Sequence, residues 1–297
     1  MKILKVFFFL ATAFFTINTT LAADITFYKE TFTLGNTTIP YRKANIQGSE
    51  GKASLVIYLH GGSSKGNDNE TQLNEPAVQS ICSWLSRNNQ KTIMIVPQCP
   101  KDKSWLGTML PVLKGLLQTF IDRGVADERR VYILGGSMGG TGTWNMLASY
   151  PDFFAAAMPV AGNPSGLNAE KVKETPIYTV MGTADVIMKI DNVESFLSEM
   201  DLYGAEYQFD IEEGWTHENV CKQSYTDERL QWVFSHTKSL TDNIHITEAD
   251  AGSEIVSVRW FTLNGQALAN KPQLKGTYLK LLHLKNGRTL TEKVVFS

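Results

Sequence analysis

Ser137 lies in the pattern Gly135-x-Ser137-x-Gly139, between an apolar, β-leaning run (Val131–Leu134) and a stretch of helical character. A serine on a sharp strand-to-helix turn is lifted above the sheet, and only small neighbours fit so tight a bend. The helix that starts there turns its positive dipole end toward the reaction. A serine hydroxyl is a poor nucleophile until a base takes its proton, and the base needs an acid to fix its tautomer. In a strand–turn–helix setting the chain order is serine, acid, histidine. There are five histidines: His60, His217, His236, His245 and His283. His60 precedes the serine, His236 closes the last predicted helix of the main domain, and His245 and His283 fall in the linker and the C-terminal module. His217 remains, in a predicted loop after a strand over 206–211. Asp185 follows the strand predicted over 177–181 through the small-residue turn Gly182-Thr183-Ala184, which puts its carboxylate at the serine's edge of the sheet. Asp191 is the rival acid, but it directly precedes a predicted helix, where an N-cap is its ordinary role.

A tetrahedral intermediate carries a negative oxygen and needs aimed donors. The amide of Met138 is one. The second is expected from the loop His60-Gly61-Gly62, from Gly62 or, failing that, Ser63. His60 itself reads as a structural residue holding that loop. Trp105 and Trp215, near the same edge, are candidate aromatic platforms for a sugar or aryl ring. No metal ligand set or cofactor motif is read from the sequence.

These residues need a scaffold, and the chain is long enough for one α/β domain plus a small appendage. Residues 25–34 and 38–46 read as a hairpin at a sheet edge, and 54–59, 92–96, 131–134, 155–160, 177–181 and 206–211 as strands. Helical spacing predicts helices over 76–87, 109–123, 138–149, 192–203 and 225–235, with a short one over 168–173. Strands alternating with helices in this way demand parallel pairing with crossover helices. A polar stretch, 239–253, is read as a linker. Beyond it the helical period does not return, and 254–262, 277–285 and 289–296 alternate around two Asn-Gly turns, which predicts a small all-β module over 254–297.

The net charge of −2 argues against a nucleic-acid partner. Lys2, Lys5 and the apolar run of residues 6–15 read as a signal peptide cut after Ala22, which predicts an exported catalytic domain over 23–238, without stable membrane insertion. Of the three cysteines, Cys82 reads as a core residue. Whether Cys99 and Cys221 pair is left open, since export permits a disulfide.

Four separated motifs agree in order with a known family: Leu55–Gly62 with Gly66-Asn67-Asp68-Asn69, Val96–Pro100 with Trp105, Arg130–Tyr150, and its continuation through Pro151 to Ala157. Over about residues 25–237 the chain resembles the α/β-hydrolase serine esterases, nearest the poly(3-hydroxybutyrate) depolymerase-like, feruloyl and acetyl-xylan esterases, some of them labelled predicted peptidases. That resemblance implies a three-layer α/β sandwich with a mostly parallel sheet and an esterase needing no cofactor. It departs at Met181-Gly182, where the family carries a histidine-glycine pair. The tail, through residues 274–279, Asn286-Gly287 and 293–295, resembles the sorting domains of type IX secretion, which implies the secretion machinery as a partner. The expected function is a secreted carboxylesterase acting on small-molecule or polysaccharide esters, acetyl and feruloyl esters of plant polysaccharide among them. A peptidase of the same fold and a non-catalytic binding module remain alternatives.

Overall fold

The computed structural model describes residues 25–238, 254–262, 265–273, 275–285, 287 and 289–296. The signal-peptide reading (1–22) and the linker reading (239–253) lie outside the described residues, as do Asn264 and Asn286 of the two predicted turns. Backbone contacts divide the chain into two compact units, Met1–Lys238 and Ser239–Ser297.

The first unit is built on an eight-stranded sheet. Its strands are β1 (Tyr28–Leu34), β2 (Thr37–Ile46), β3 (Ala53–Leu59), β4 (Thr92–Pro97), β5 (Ala126–Gly136), β6 (Ala156–Val160), β7 (Ile177–Gly182) and β8 (Tyr207–Glu212). Their order is β1-β2-β4-β3-β5-β6-β7-β8. The β1–β2 hairpin is antiparallel and occupies one edge, joined antiparallel to β4. From β4 across to β8 every pairing is parallel. Six helices flank the sheet: α1 (Pro76–Arg87), α2 (Met109–Asp122), α3 (Met138–Ser149), α4 (Ile190–Asp201), α5 (His217–Gln223) and α6 (Asp227–Ser235). This is the α/β-hydrolase architecture.

The central strands are apolar throughout because both faces are covered. Alternate residues of β3 feed different cores: Leu55, Ile57 and Leu59 one, Val56 and Tyr58 the other. The first core takes in α2, α3 and α4 through Leu113, Trp144 and Phe196; the second takes in α1 and α6 through Ile81, Leu85 and Val233. At the far edge, buried Arg229 of α6 pairs with Asp210 and Glu212 of β8 and joins helix to strand.

Three elements depart from the sequence reading. β5 is longer than 131–134, because Ala126 pairs with Ala53 across a bulge. Its charged first half hid the strand pattern; Asp127 is tied there to Arg129 and Arg130. The second departure concerns His217, which is not in a loop but is the first residue of α5. Thr216 caps that helix, accepting from the Asn219 amide while the Asn219 side chain returns to the Thr216 amide. The short helix predicted over 168–173 is a single 3-10 turn, Ala169–Lys171.

The second unit holds a four-stranded antiparallel sheet of β9 (Ile255–Thr262), β10 (Ala267–Leu268), β11 (Gly276–Leu284) and β12 (Thr289–Phe296), in the order β10-β9-β11-β12. Its core is thin; Trp260, Leu282 and Leu284 are its buried apolar residues among those described. No helix among the described residues is long and apolar enough to cross a membrane.

Candidate active site

The site is assembled where the parallel strands end. β5 runs into Gly136, and Ser137 follows with φ 59° and ψ −118°, a left-handed conformation costly for any residue with a side chain. Its amide donates to Val160 O, and its carbonyl accepts from Thr141 N as α3 begins. The flanking glycines are needed for space. A Cβ on Gly139 would lie 1.8 Å from Leu59 O, and one on Gly135 would lie 2.5 Å from Gly139 O. The nucleophile turn is thus pressed against the end of β3.

His217 and Asp185 arrive from later crossovers. Asp185 follows β7 in a turn closed by its own amide donating to Gly182 O. Its carboxylate is fully buried. Oδ1 accepts from the amides of Ile187 (2.8 Å) and Met188 (2.9 Å). Oδ2 faces His217 Nδ1 at 2.8 Å. An ionised carboxylate has only acceptors, so Nδ1 carries the proton and donates, leaving Nε2 to accept. Nε2 lies 2.7 Å from Ser137 Oγ. Residues 137, 185 and 217 therefore form one continuous hydrogen-bonded chain. Asp191 is outside it, and it is not an N-cap either: Lys189 holds that position and Asp191 falls in the first turn of α4.

Two backbones border Ser137 where the sequence reading expects the oxyanion donors. The Met138 amide is the first of α3 and has no intrahelical partner. Gly61 approaches the nucleophile: a Cβ built on it would lie 3.6 Å from Ser137 Cβ. The Gly61 amide, however, donates to Glu75 Oε1 (3.3 Å). Gly62 and Ser63 are exposed, and a Cβ on Gly62 would meet nothing within 4 Å.

His60 is fully buried behind this loop. Its Nε2 accepts from the Cys99 amide at 2.9 Å, so Nδ1 carries the hydrogen and donates to Gly61 O at 2.6 Å. Burial pushes its pKa down to about 4, which keeps the ring neutral. Its geometry is that of a loop anchor.

Trp105 corrects the sequence reading. A candidate platform by its place in the chain, it is fully buried, with Nε1 donating to His60 O at 3.0 Å and its ring edge-on to the His60 imidazole. It packs against α3 at Gly142, where a Cβ would lie 2.4 Å from Trp105 Cβ. No face of that indole is left for a ligand. Trp215 is half-buried and packs at the edge of the second core, two residues before His217.

Cys99 and Cys221 are not paired; all three cysteines are free thiols. Cys221, one turn beyond His217 on α5, brings Sγ within 3.9 Å of Nε2. Burial pushes its thiol up to about 12, with Glu75 and Asp185 adding to the effect, so it stays protonated beside the imidazole. Among the described residues, no three His, Cys, Asp or Glu side chains gather as a metal site requires. A hollow of about 690 Å³, lined by Asn45, Lys52, Lys91 and Val125, lies at the opposite end of the parallel strands and touches none of these groups.

The sequence reading missed Glu75. It also missed α5, whose local signal was the Thr216-x-x-Asn219 pattern.

The dienelactone hydrolase family profile matches residues 88–241, just over half of the chain and the part that carries all three hydrogen-bonded residues. A bifunctional acetylxylan esterase/xylanase from Neocallimastix patriciarum is 32% identical over 101 residues, which is 34% of this chain and 14% of that protein. Among solved structures, a thermostable esterase superposes with a TM-score of 0.65 at 26% identity, covering 71% of this chain and 63% of that one. The feruloyl esterase module from Clostridium thermocellum, solved with sinapinate, superposes with a TM-score of 0.56 at 17% identity, covering 69% of this chain and 87% of that one. This chain thus spans a small part of the curated relative and under two thirds of the thermostable esterase.

Proposed function

The chain belongs to the dienelactone hydrolase family, and on that premise we propose that it is a serine carboxylesterase working through Ser137, His217 and Asp185. The observation that carries this reading is the unbroken chain from Ser137 Oγ to His217 Nε2 (2.7 Å) and from His217 Nδ1 to Asp185 Oδ2 (2.8 Å). Ser137 Oγ attacks the ester carbonyl as its proton passes to Nε2. Asp185 stabilises the imidazolium, and the Ile187 and Met188 amides hold its carboxylate in place. The amides of Met138 and Gly62 receive the developing oxyanion. The imidazolium then protonates the departing alcohol. Water, activated by the neutral imidazole, releases the acid from the acyl-enzyme.

Acetyl or feruloyl esters of plant polysaccharide are the substrates we favour. Support comes from the acetylxylan esterase/xylanase relative and the feruloyl esterase neighbour, each by its own described activity. Trp215, beside His217, is the aromatic surface we assign to the substrate. We further take the chain to be exported, with residues 1–22 as its signal and 254–297 as a type IX sorting module; the residue patterns of the two ends support that reading.

Ser137→Ala should lower turnover of nitrophenyl acetate and methyl ferulate by about six orders of magnitude, because the three groups act as a unit. A fluorophosphonate probe should label Ser137. Undiminished ester hydrolysis by Ser137→Ala would overturn the reading. Preferential cleavage of a peptide amide in the same assay would replace the esterase by a peptidase.

A further inference from the structure

We propose that Glu75 is a positioning residue for the oxyanion loop: its carboxylate, from the start of α1, sets the loop 61–64 so that the Gly62 amide faces the reacting oxygen. The inference deepens the esterase reading and depends on it.

Glu75 sits at the N-cap of α1, directly before Pro76. A carboxylate there ordinarily turns back to accept from the first amides of its own helix. This one makes no cap bond. Instead Oε1 reaches out of the helix and accepts twice from the loop after β3, from Ser64 Oγ at 2.6 Å and from Gly61 N at 3.3 Å. The same oxygen would lie 3.8 Å from a Cβ on Gly61, and that Cβ would lie 3.6 Å from Ser137 Cβ. The carboxylate is therefore a near neighbour of the nucleophile turn, with Gly61 between them.

The two bonds do distinct things. Occupying the Gly61 amide removes it as a competing donor and leaves the oxyanion to the next amide, that of exposed Gly62. Holding Ser64 Oγ fixes the far end of the same short turn. Two further ties complete the frame: Ser64 O accepts from Gln98 Nε2 at 3.3 Å, and His60 locks the near end to Cys99. Preorganised donors stabilise a developing charge without reorganising during the reaction, so the framing should act on the transition state more than on substrate binding.

The test is steady-state kinetics of nitrophenyl acetate hydrolysis on the full chain, with thermal midpoints and fluorophosphonate labelling for each variant. Glu75→Ala should lower kcat by between tenfold and a hundredfold, of the order expected when a donor is misplaced by about 1 Å, while KM stays near the wild-type value. Affinity for a trifluoromethyl ketone transition-state analogue should fall by the same factor as kcat. Glu75→Gln keeps an oxygen that can accept from both donors, so it should restore kcat to within about threefold of wild type. Ser64→Ala cuts the tie from the other side. It should lower kcat on an intact fold, and adding it to Glu75→Ala should cost little more, since Glu75→Ala already removes the Ser64 bond. Unchanged kcat in Glu75→Ala, or in Ser64→Ala should Glu75→Ala fail to fold, would overturn the proposal. So would Glu75→Gln failing as badly as Glu75→Ala on a stable fold. A wild-type protein that the fluorophosphonate does not label would instead remove the esterase reading beneath it.

Discussion

His60 and His217 stand at the same edge of one sheet, yet their surroundings give them opposite duties. His217 has a carboxylate on one nitrogen and a hydroxyl on the other, the arrangement of a base. His60 has an amide donor on one nitrogen and a carbonyl acceptor on the other, so both are occupied and the neutral form is locked. Burial lowers its pKa to about 4. In the unfolded chain the ring titrates near 6.5, so below that pH only the unfolded state takes up the proton. This group's contribution is therefore complete above about pH 6.5 and is lost progressively down to about pH 4, a change of order 3 kcal/mol. Imidazole nitrogen NMR should show His60 neutral at pH 5, and chemical denaturation should show stability falling across that window. A His60 ring titrating near 6.5 in the native protein would contradict this. At this scale much was legible in the sequence: Ser137 from its glycine flanks, His217 by elimination among five histidines, His60 as a loop anchor. Glu75 was not, because an acid before Pro76 at a helix start looks like an ordinary cap. Its actual partners are at 61 and 64, brought near only by folding. Trp105 was misread for the related reason that a loop position in sequence does not reveal burial.

The element that concentrates the constraints is α3 with the turn that precedes it. Gly139 sits so close to the end of β3 that a methyl group would fall inside Leu59 O. A Cβ on Gly62, in the loop after β3, would meet nothing within 4 Å. Gly139→Ala should therefore destabilise the fold by about 3 kcal/mol or more, at the upper end of overpacking costs. Gly62→Ala should leave the denaturation midpoint unchanged. Equal midpoints for the two variants would show that α3 can move away from β3. α1 has the bounds that spacing predicts, since its apolar face repeats over three turns; α3 carries no such stripe, and its start is marked instead by the glycine-flanked turn at Ser137. β5 and α5 were harder to read. Half of β5 is charged and stabilised by side-chain ion pairs, and α5 is two turns long, too short for a period to register.

At the scale of the whole molecule the residues of the candidate site are confined to one unit. The three hydrogen-bonded groups, the oxyanion loop and Glu75 all lie within Met1–Lys238, and the antiparallel sheet of β9 to β12 lies in the other unit. The end of the first unit is fastened on its own: the Lys238 amide donates to Arg129 O at 2.8 Å and its Nζ to Asp152 O at 2.7 Å. A chain ending at Lys238 should keep the wild-type kcat/KM and thermal midpoint. If the tail is a sorting module, the same truncation should also hold the protein within the cell envelope while the full chain reaches the surface or medium, with Ala23 as its first residue. Fractionation and N-terminal sequencing would check both, and loss of activity on truncation would give the second unit a part in the chemistry.

The amino-acid sequence by itself determined the alternation of strands and helices, the parallel centre with an antiparallel edge, and the glycine-flanked turn that carries Ser137. Those features are written locally, in apolar period and in the size limits of a tight turn. Tertiary structure alone decided that His217 opens a helix, which way Trp105 faces, that Cys99 and Cys221 stay apart, and that the Glu75 carboxylate leaves its own helix uncapped to bond the loop at 61 and 64. The last three depend on distances between segments far apart in the chain, and such distances exist only once the sheet has brought the strand ends together.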